Sequence, residues 1–176
     1  KPEVLEEFYK YLTDALRDPS LYSGQAGPVL SADLFGMVST NQDDLNIGQV
    51  LERALPYFDY ISPMVYPSHY PTGYNGYKNV NEHAYDIVKL AMDTATARTI
   101  ATSTKIASFA YTPIASTTPQ LYQKPSYAPS KIRPWLQSFD YPVAYTPAMV
   151  EEQIKASNDA GLDSWLFWDA ANKYTS

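Results

Sequence analysis

The sequence predicts an α/β fold built around a parallel sheet. Short apolar segments alternate with helical segments in the order α-β-α-β-α-β-α-β, and strands that alternate with helices are typical of parallel sheets. Residues 60–66 are mostly apolar on both faces, as expected for a buried parallel strand. No glycine-rich dinucleotide-binding loop follows any of the strands. The pattern is compatible with an open doubly wound sheet or with part of a closed barrel.

Hydrophobic spacing and helix-terminus residues define the individual elements. Leu5 and Leu12 belong to a set of apolar residues at helical spacing. Asn46 and Gln49 have the spacing of a capping box, which predicts that a helix begins there. Thr146 before a proline predicts the start of another helix. The predicted elements are helix 2–17, strand and exit loop 28–36, helix 46–55, strand 60–66, helix 82–102, strand 132–139, helix 147–160 and strand 164–168.

Residues 103–130 differ from the rest of the chain because they are rich in Ser, Thr, Pro and Tyr and carry little charge. We interpret them as an ordered or semi-flexible insertion within a single domain, 1–176. Within the insertion, residues 105–111 fit either an extra strand or a continuation of the preceding helix. The 176 residues suit one domain, but a complete (β/α)8 barrel typically needs about 250.

Composition excludes several classes of function. The net charge of −6 repels phosphate backbones, so nucleic acid is not expected as a partner. No apolar stretch reaches the length of about 18 residues that a membrane span requires. The chain has no cysteine and two histidines without convergent spacing, so no metal site is expected. No cofactor is expected, and a secreted or cell-envelope location is favoured.

The carboxyl ends of parallel strands carry the functional residues of α/β folds, and Asp33 is the leading candidate there. Aspartate is a poor strand residue, so its place at a strand end favours acid or base chemistry. The alternative is that Asp33 caps the next turn or pairs with a cation. Glycoside hydrolysis needs two carboxyl groups, and no glutamate lies at any of the four predicted strand ends.

Aromatic and polar residues at the other strand ends are candidates for substrate binding. Aromatic side chains can stack on sugar rings, and Tyr and His also offer hydrogen bonds. Each has a structural alternative: tryptophan is often core, a loop histidine can tie its own turn, and a glutamine can be a satisfied interior group. The candidates are Tyr66, His69, Trp135, Gln137, Trp168 and Asp169.

Five segments resemble a bacterial family, the putative glycoside hydrolase domain family, which has a TIM-barrel fold. The most specific segments contain P-M-V-Y-P-S-H-Y and R-P-W-L-Q, and the likeness covers nearly the whole chain outside the insertion. At the last segment this chain has W-D-A-A-N where relatives often have W-N-A-S-N, so Asp169 departs from the family pattern. The segments are residues 31–36, 47–52, 59–70, 133–139 and 161–174.

The resemblance implies that this chain is the carboxyl-terminal half of a (β/α)8 barrel, carrying strands five to eight. It also implies that the carboxylate partner of Asp33 lies on the preceding strand, before Lys1. The first hypothesis is therefore a hydrolase acting on a polysaccharide or glycan. The second is a carbohydrate-binding or cell-wall-associated barrel without catalysis. A half-barrel exposes two sheet edges and its interior, so we expect it to need the N-terminal half as a partner.

Overall fold

The computed structural model describes residues 1–174. It contains four α-helices and seven strands, which form a main sheet and a smaller one. The helices are α1 (Pro2–Leu16), α2 (Leu51–Ala54), α3 (Ala84–Ile100) and α4 (Pro147–Asp159). The strands are β1 (Ser31–Phe35), β2 (Tyr60–Val65), β3 (Ser103–Thr104), β4 (Thr112–Pro113), β5 (Tyr122–Gln123), β6 (Trp135–Gln137) and β7 (Leu166–Trp168).

The main sheet is parallel and has the strand order β1-β2-β6-β7. Phe35 of β1 lies beside Met64 of β2, which lies beside Trp135 of β6 and then Leu166 of β7. The prediction of an α/β fold with a parallel sheet is therefore confirmed. Each of the four strands was predicted within a few residues of its observed position.

One face of the main sheet packs on the helices, and the other is open. Along β1, Ala32 and Leu34 are buried in the core, whereas Asp33 and Phe35 are exposed on the opposite face. The core between sheet and helices also contains Met92 of α3 and other buried residues of the helices. The open face therefore carries alternate side chains of each strand, and those of β1 are exposed to solvent.

Three of the helices begin and end close to the predicted residues. The predicted helix 147–160 is α4, and the Thr146 side chain accepts a hydrogen bond from the Met149 backbone N–H at 3.3 Å. Gly161 follows α4 with a φ of 81°, a left-handed conformation that glycine adopts without steric cost. Within residues 1–174, no helix is long and apolar enough to cross a membrane.

The predicted capping box at Asn46 and Gln49 is wrong. Asn46 has a φ of 58° and lies in a turn, and α2 begins after Val50. The Gln49 side chain is used elsewhere, because its Oε1 accepts a hydrogen bond from the Phe35 backbone N–H at 2.8 Å. The helix is therefore reduced to one turn, and Gln49 connects this turn to the end of β1.

The insertion forms a small antiparallel sheet with the order β3-β5-β4. Residues 105–111 lie between β3 and β4, so neither the extra strand nor the continued helix is correct there. The reason is a long-range contact: the Ser108 hydroxyl and the Phe109 backbone N–H both donate to Glu6 of α1. This loop is therefore shaped by α1 and not by its local sequence preferences.

Glu6 is a buried carboxylate that joins three parts of the chain. Its side chain is fully buried, and Arg53 Nη1 donates to its Oε2 at 2.9 Å. The Tyr57 hydroxyl donates to Oε1 at 3.0 Å, together with the Ser108 hydroxyl and the Phe109 backbone N–H. A buried charge is tolerated only when it is paired and hydrogen-bonded. Glu6 therefore holds the insertion and the α2 turn against α1.

We predict that Glu6→Ala lowers the free energy of unfolding by about 3–5 kcal/mol, because it removes one partner of a buried ion pair. The matched control is Glu7→Ala on the exposed side of the same helix, which should change the free energy of unfolding by less than about 0.5 kcal/mol. Urea denaturation of both variants, each made in the natural full-length protein, measures the difference. Equal effects of the two substitutions would contradict the structural role of Glu6.

Candidate functional site

Asp33 lies on the open face of β1 and is held there by a tryptophan from another strand. The Trp135 Nε1–H of β6 donates to the Asp33 Oδ1 at 2.9 Å. Strand β2 lies between them, and the residue beside Asp33 on β2 is Ser62, whose short side chain leaves room for the indole to reach across. An indole N–H can only donate a hydrogen bond. Trp135 therefore orients one carboxylate oxygen of Asp33.

Tyr66 follows β2 directly and lies within electrostatic reach of Asp33. Burial raises the pKa of Tyr66 to about 12, and the negative charge of Asp33 contributes in the same direction. The phenol is therefore neutral at ordinary pH and can donate a hydrogen bond. The structure places these two candidates, predicted from separate strand ends, in one neighbourhood.

His69 belongs to an aromatic cluster with Tyr66, Phe139 and Tyr141. The ring centroids of Tyr66 and His69 are 5.3 Å apart, those of Tyr66 and Phe139 are 5.3 Å apart, and those of His69 and Phe139 are 5.7 Å apart. The ring centroids of His69 and Tyr141 are 6.4 Å apart. Burial lowers the pKa of His69, so its imidazole is neutral at neutral pH and can both donate and accept hydrogen bonds.

The two tryptophans at the sheet's open face are in contact but are not coplanar. The rings of Trp135 and Trp168 are 6.1 Å apart and nearly perpendicular, with an interplanar angle of 85°. Trp135 is half-buried, whereas 45% of the Trp168 surface is exposed. Trp168 therefore has the exposed surface that a sugar ring could stack on, while Trp135 supports it from the side.

Gln137 is fully buried, and its amide is saturated by contacts inside the protein. Its Oε1 accepts from the backbone N–H and the hydroxyl of Ser68, at 3.2 and 2.9 Å. Its Nε2 donates to the backbone carbonyls of Phe139 and Tyr141, at 3.1 and 3.2 Å. An amide has two lone-pair sites and two N–H groups to offer. Gln137 therefore joins the loop that carries His69 to the loop that carries Phe139 and Tyr141.

A pocket of about 560 Å³ opens at the carboxyl ends of β6 and β7. Two of its carboxylates are fixed by backbone hydrogen bonds: Asp140 Oδ1 accepts from Tyr145 N–H at 2.7 Å, and Asp169 Oδ1 accepts from Ala171 N–H at 2.6 Å. The pocket is lined by both apolar and charged residues, a combination that is common in small-ligand sites. Its principal lining residues are His69, Phe139, Asp140, Trp168, Asp169 and Lys173.

Sequence reasoning missed four residues of this neighbourhood: Phe139, Asp140, Tyr141 and Lys173. The first three directly follow the strand that carries Trp135 and Gln137, so their position after a strand end was the available signal. His83, the second histidine of the chain, stacks on Tyr77 with ring centroids 3.8 Å apart. Within residues 1–174, no group of three or more His, Cys, Asp or Glu side chains could hold a metal ion.

Comparison with known proteins gives one family. The family model described as a putative glycosyl hydrolase domain matches residues 3–174. Comparisons with curated proteins and with solved structures gave no match.

Proposed function

Since this chain belongs to the putative glycosyl hydrolase domain family, we propose that it hydrolyses glycosidic bonds in a polysaccharide or glycan. The observation that carries the proposal is the exposed Asp33 carboxylate in the middle of β1, which the Trp135 indole orients. The Trp135 ring that holds this carboxylate also contacts the exposed Trp168 ring. A fixed carboxylate beside exposed aromatic surface is suited to a sugar substrate.

In this proposal Asp33 acts as the nucleophile or as the general base. The Trp135 N–H occupies one lone-pair direction of Oδ1, which keeps the carboxylate in a single orientation without consuming its second oxygen. Tyr66 and His69 donate hydrogen bonds to sugar hydroxyls, and Trp168 stacks on a sugar ring. Asp169, whose Oδ1 is held by Ala171 N–H, accepts from a hydroxyl through its other oxygen.

We assign Trp135 and Gln137 mainly to positioning. Trp135 holds Asp33, and Gln137 holds the two loops that form the aromatic cluster. Gln137 was predicted to bind substrate. Its amide oxygen and nitrogen already form hydrogen bonds within the protein, so we assign it no contact with substrate. Glycoside hydrolysis also needs a general acid, at a carboxyl separation of roughly 5 Å for retention or about 6.5–9.5 Å for inversion.

We further propose that the sheet supplies strands five to eight of a (β/α)8 barrel. In the described residues β1 and β7 each pair with one strand only, so each has a free edge. The exposed side of α1 carries Val4, Phe8 and Tyr11. Four further strands would pair both edges, and the helices that accompany them would cover these three residues. The strand beside β1 would then be the place for the general acid.

Residues 1–176 produced alone should therefore self-associate, because unpaired edges and exposed apolar groups favour contacts between copies. Sedimentation velocity together with urea denaturation tests this expectation. A stable monomer that unfolds in one cooperative transition would contradict the half-barrel proposal. It would not bear on the catalytic role of Asp33, which is tested separately.

The catalytic proposal predicts that Asp33→Asn lowers kcat on a glycan substrate by at least about 100-fold, because the amide cannot act as nucleophile or base. The substitution keeps an oxygen that can accept the Trp135 hydrogen bond, so folding should be preserved. Asp163→Asn is the matched control, since Asp163 is exposed and precedes β7 at the other end of the strand. A glycan-hydrolysis screen of the natural full-length protein supplies the substrate for both measurements.

Two other results would change the proposal. Equal activity of the wild type and Asp33→Asn would remove Asp33 from the mechanism. Glycan binding without hydrolysis of any glycan would favour the second candidate, a carbohydrate-binding barrel without catalysis. The observation that favours this second candidate is that no glutamate lies at the carboxyl ends of the four main-sheet strands in the described residues.

A further inference from the structure

Arg133 is a cation on the open face of the main sheet. It precedes Trp135 by two residues in the segment that leads into β6, so its side chain lies on the same face as Trp135 and Asp33. Its backbone N–H donates to the Ile61 carbonyl of β2 at 2.9 Å, which continues the pairing of the two strands. The ion pairs within residues 1–174 all involve other cations. Arg133 therefore has no carboxylate partner in this part of the chain.

A tyrosine of β2 fixes the direction in which the guanidinium of Arg133 points. The guanidinium carbon lies 5.6 Å from the centre of the Tyr60 ring, within the distance of about 6 Å at which a cation and an aromatic face attract each other. Tyr60 is the first residue of β2. The guanidinium is therefore directed towards the amino ends of the strands and away from the pocket beside Trp168.

The charge of Arg133 is only partly compensated. An arginine keeps its charge throughout the pH range in which proteins fold. Its Nε is buried and has no hydrogen-bond partner among residues 1–174. The residue as a whole is only partly buried, so the rest of the guanidinium stays open to a partner on this face. The Tyr60 ring carries no net charge and cannot replace a carboxylate, which is the usual partner of a desolvated guanidinium.

We propose that the strands which complete the barrel carry an aspartate or glutamate that pairs with Arg133 inside the barrel. The inference rests on the half-barrel proposal, in which the open face of this sheet becomes the barrel interior. Strand β6 already has β2 and β7 as its sheet neighbours, and neither of these strands contains an acidic residue. The carboxylate therefore comes from a strand on the opposite side of the barrel.

Two carboxylates of the described residues lie in the same region but have other partners. Asp33 accepts a hydrogen bond from Trp135, and Asp59, just before β2, pairs with Arg17 at 3.0 Å. A carboxylate of the substrate is a poorer fit than one of the protein. Ligands reach (β/α)8 barrels from the carboxyl ends of the strands, and the guanidinium of Arg133 points the other way.

The partner of Arg133 is a different group from the general acid of the proposed reaction. A guanidinium lowers the pKa of a carboxyl group beside it, whereas a general acid needs a raised pKa to hold its proton. The completing strands therefore contribute at least two acidic side chains to the barrel interior. One lies beside Asp33 and the other meets Arg133 nearer the amino ends of the strands.

Urea denaturation of the natural full-length protein at about pH 5 and about pH 8 tests the proposal through Arg133→Met, which removes the charge and keeps a long side chain. The variant leaves the partner carboxylate buried and unpaired, and burial raises its folded-state pKa above the unfolded-state value. The variant therefore loses stability as the pH rises through this raised pKa. In the wild type the paired carboxylate has a lowered pKa and stays ionised at both pH values.

Arg133→Met should raise the unfolding equilibrium constant at least about 100-fold relative to the wild type at the higher pH. At the lower pH, where the orphaned carboxyl group is protonated, this effect should be at least about 10-fold smaller. If the variant does not fold at the higher pH, it should fold at the lower one. Arg133→Lys keeps the charge and should show no such pH dependence. Lys10→Met, which removes the exposed partner of Asp14, is the matched control and should change the constant by less than about 5-fold at either pH.

The charged groups around Arg133 in the described residues are common to wild type and variant, and Asp33→Asn isolates the one on the same face. The pH dependence of Arg133→Met should persist in the Asp33→Asn background. Its disappearance there would identify Asp33 as the partner and overturn the inference. The remaining groups are Arg17, Asp59 and Lys131.

Two further results would overturn the inference and leave the hydrolase proposal intact. One is an effect of Arg133→Met on stability that is equal at both pH values. The other is unchanged stability with a loss of affinity only for glycans that carry carboxylates, which would make the substrate the partner. If Arg133→Met folds at neither pH, a crystal structure of the wild-type full-length protein decides. A carboxylate from outside this sheet at the Arg133 guanidinium is expected, and solvent there would contradict the inference. The self-association of residues 1–176 tests the half-barrel proposal independently.

Discussion

The candidate site depends on the parallel pairing of β2 with a strand on each side. Parallel strands bring their carboxyl ends to one edge of a sheet, so Tyr66, Phe139 and Trp168 converge although they are far apart in the chain. Asp33 lies two residues before the end of β1. The same pairing sets Trp135 two strands away from Asp33 in the register that its hydrogen bond requires. A shift of either strand by one residue would turn these side chains towards the helices.

Two buried polar side chains stabilise the parts of the chain that the sheet does not fix. Gln137 uses its amide to hold the His69 loop and the loop after β6 together, which keeps the aromatic cluster in place. Glu6 holds the insertion and the α2 turn against α1. Buried polar groups with complete hydrogen bonding specify one arrangement, because any other arrangement leaves them unpaired. The loop that carries His69 and the insertion are thus each positioned by one residue that is distant in sequence.

These long-range contacts separate what the sequence could predict from what it could not. Strands and helices follow local periodicity, so their order, the parallel sheet and α4 with its Thr146 cap were predicted correctly. The capping box failed because Gln49 binds the backbone of β1, and residues 105–111 were misjudged because Glu6 shapes them. Asp33 was identified because aspartate is a poor strand residue, but it lies in the middle of β1 and not at its end as predicted. Its bond to Trp135 depends on sheet register, which no local pattern encodes.

The central claim is that the open face at the carboxyl ends of β1, β2, β6 and β7 binds carbohydrate with Asp33 beside the scissile bond. A crystal structure of the natural full-length protein carrying Asp33→Asn, soaked with an oligosaccharide it binds, tests this most directly. The account predicts a sugar ring stacked on Trp168 and a glycosidic oxygen close to the side chain of residue 33. A sugar bound away from these strand ends, or a Trp168 ring covered by another part of the protein, would contradict it.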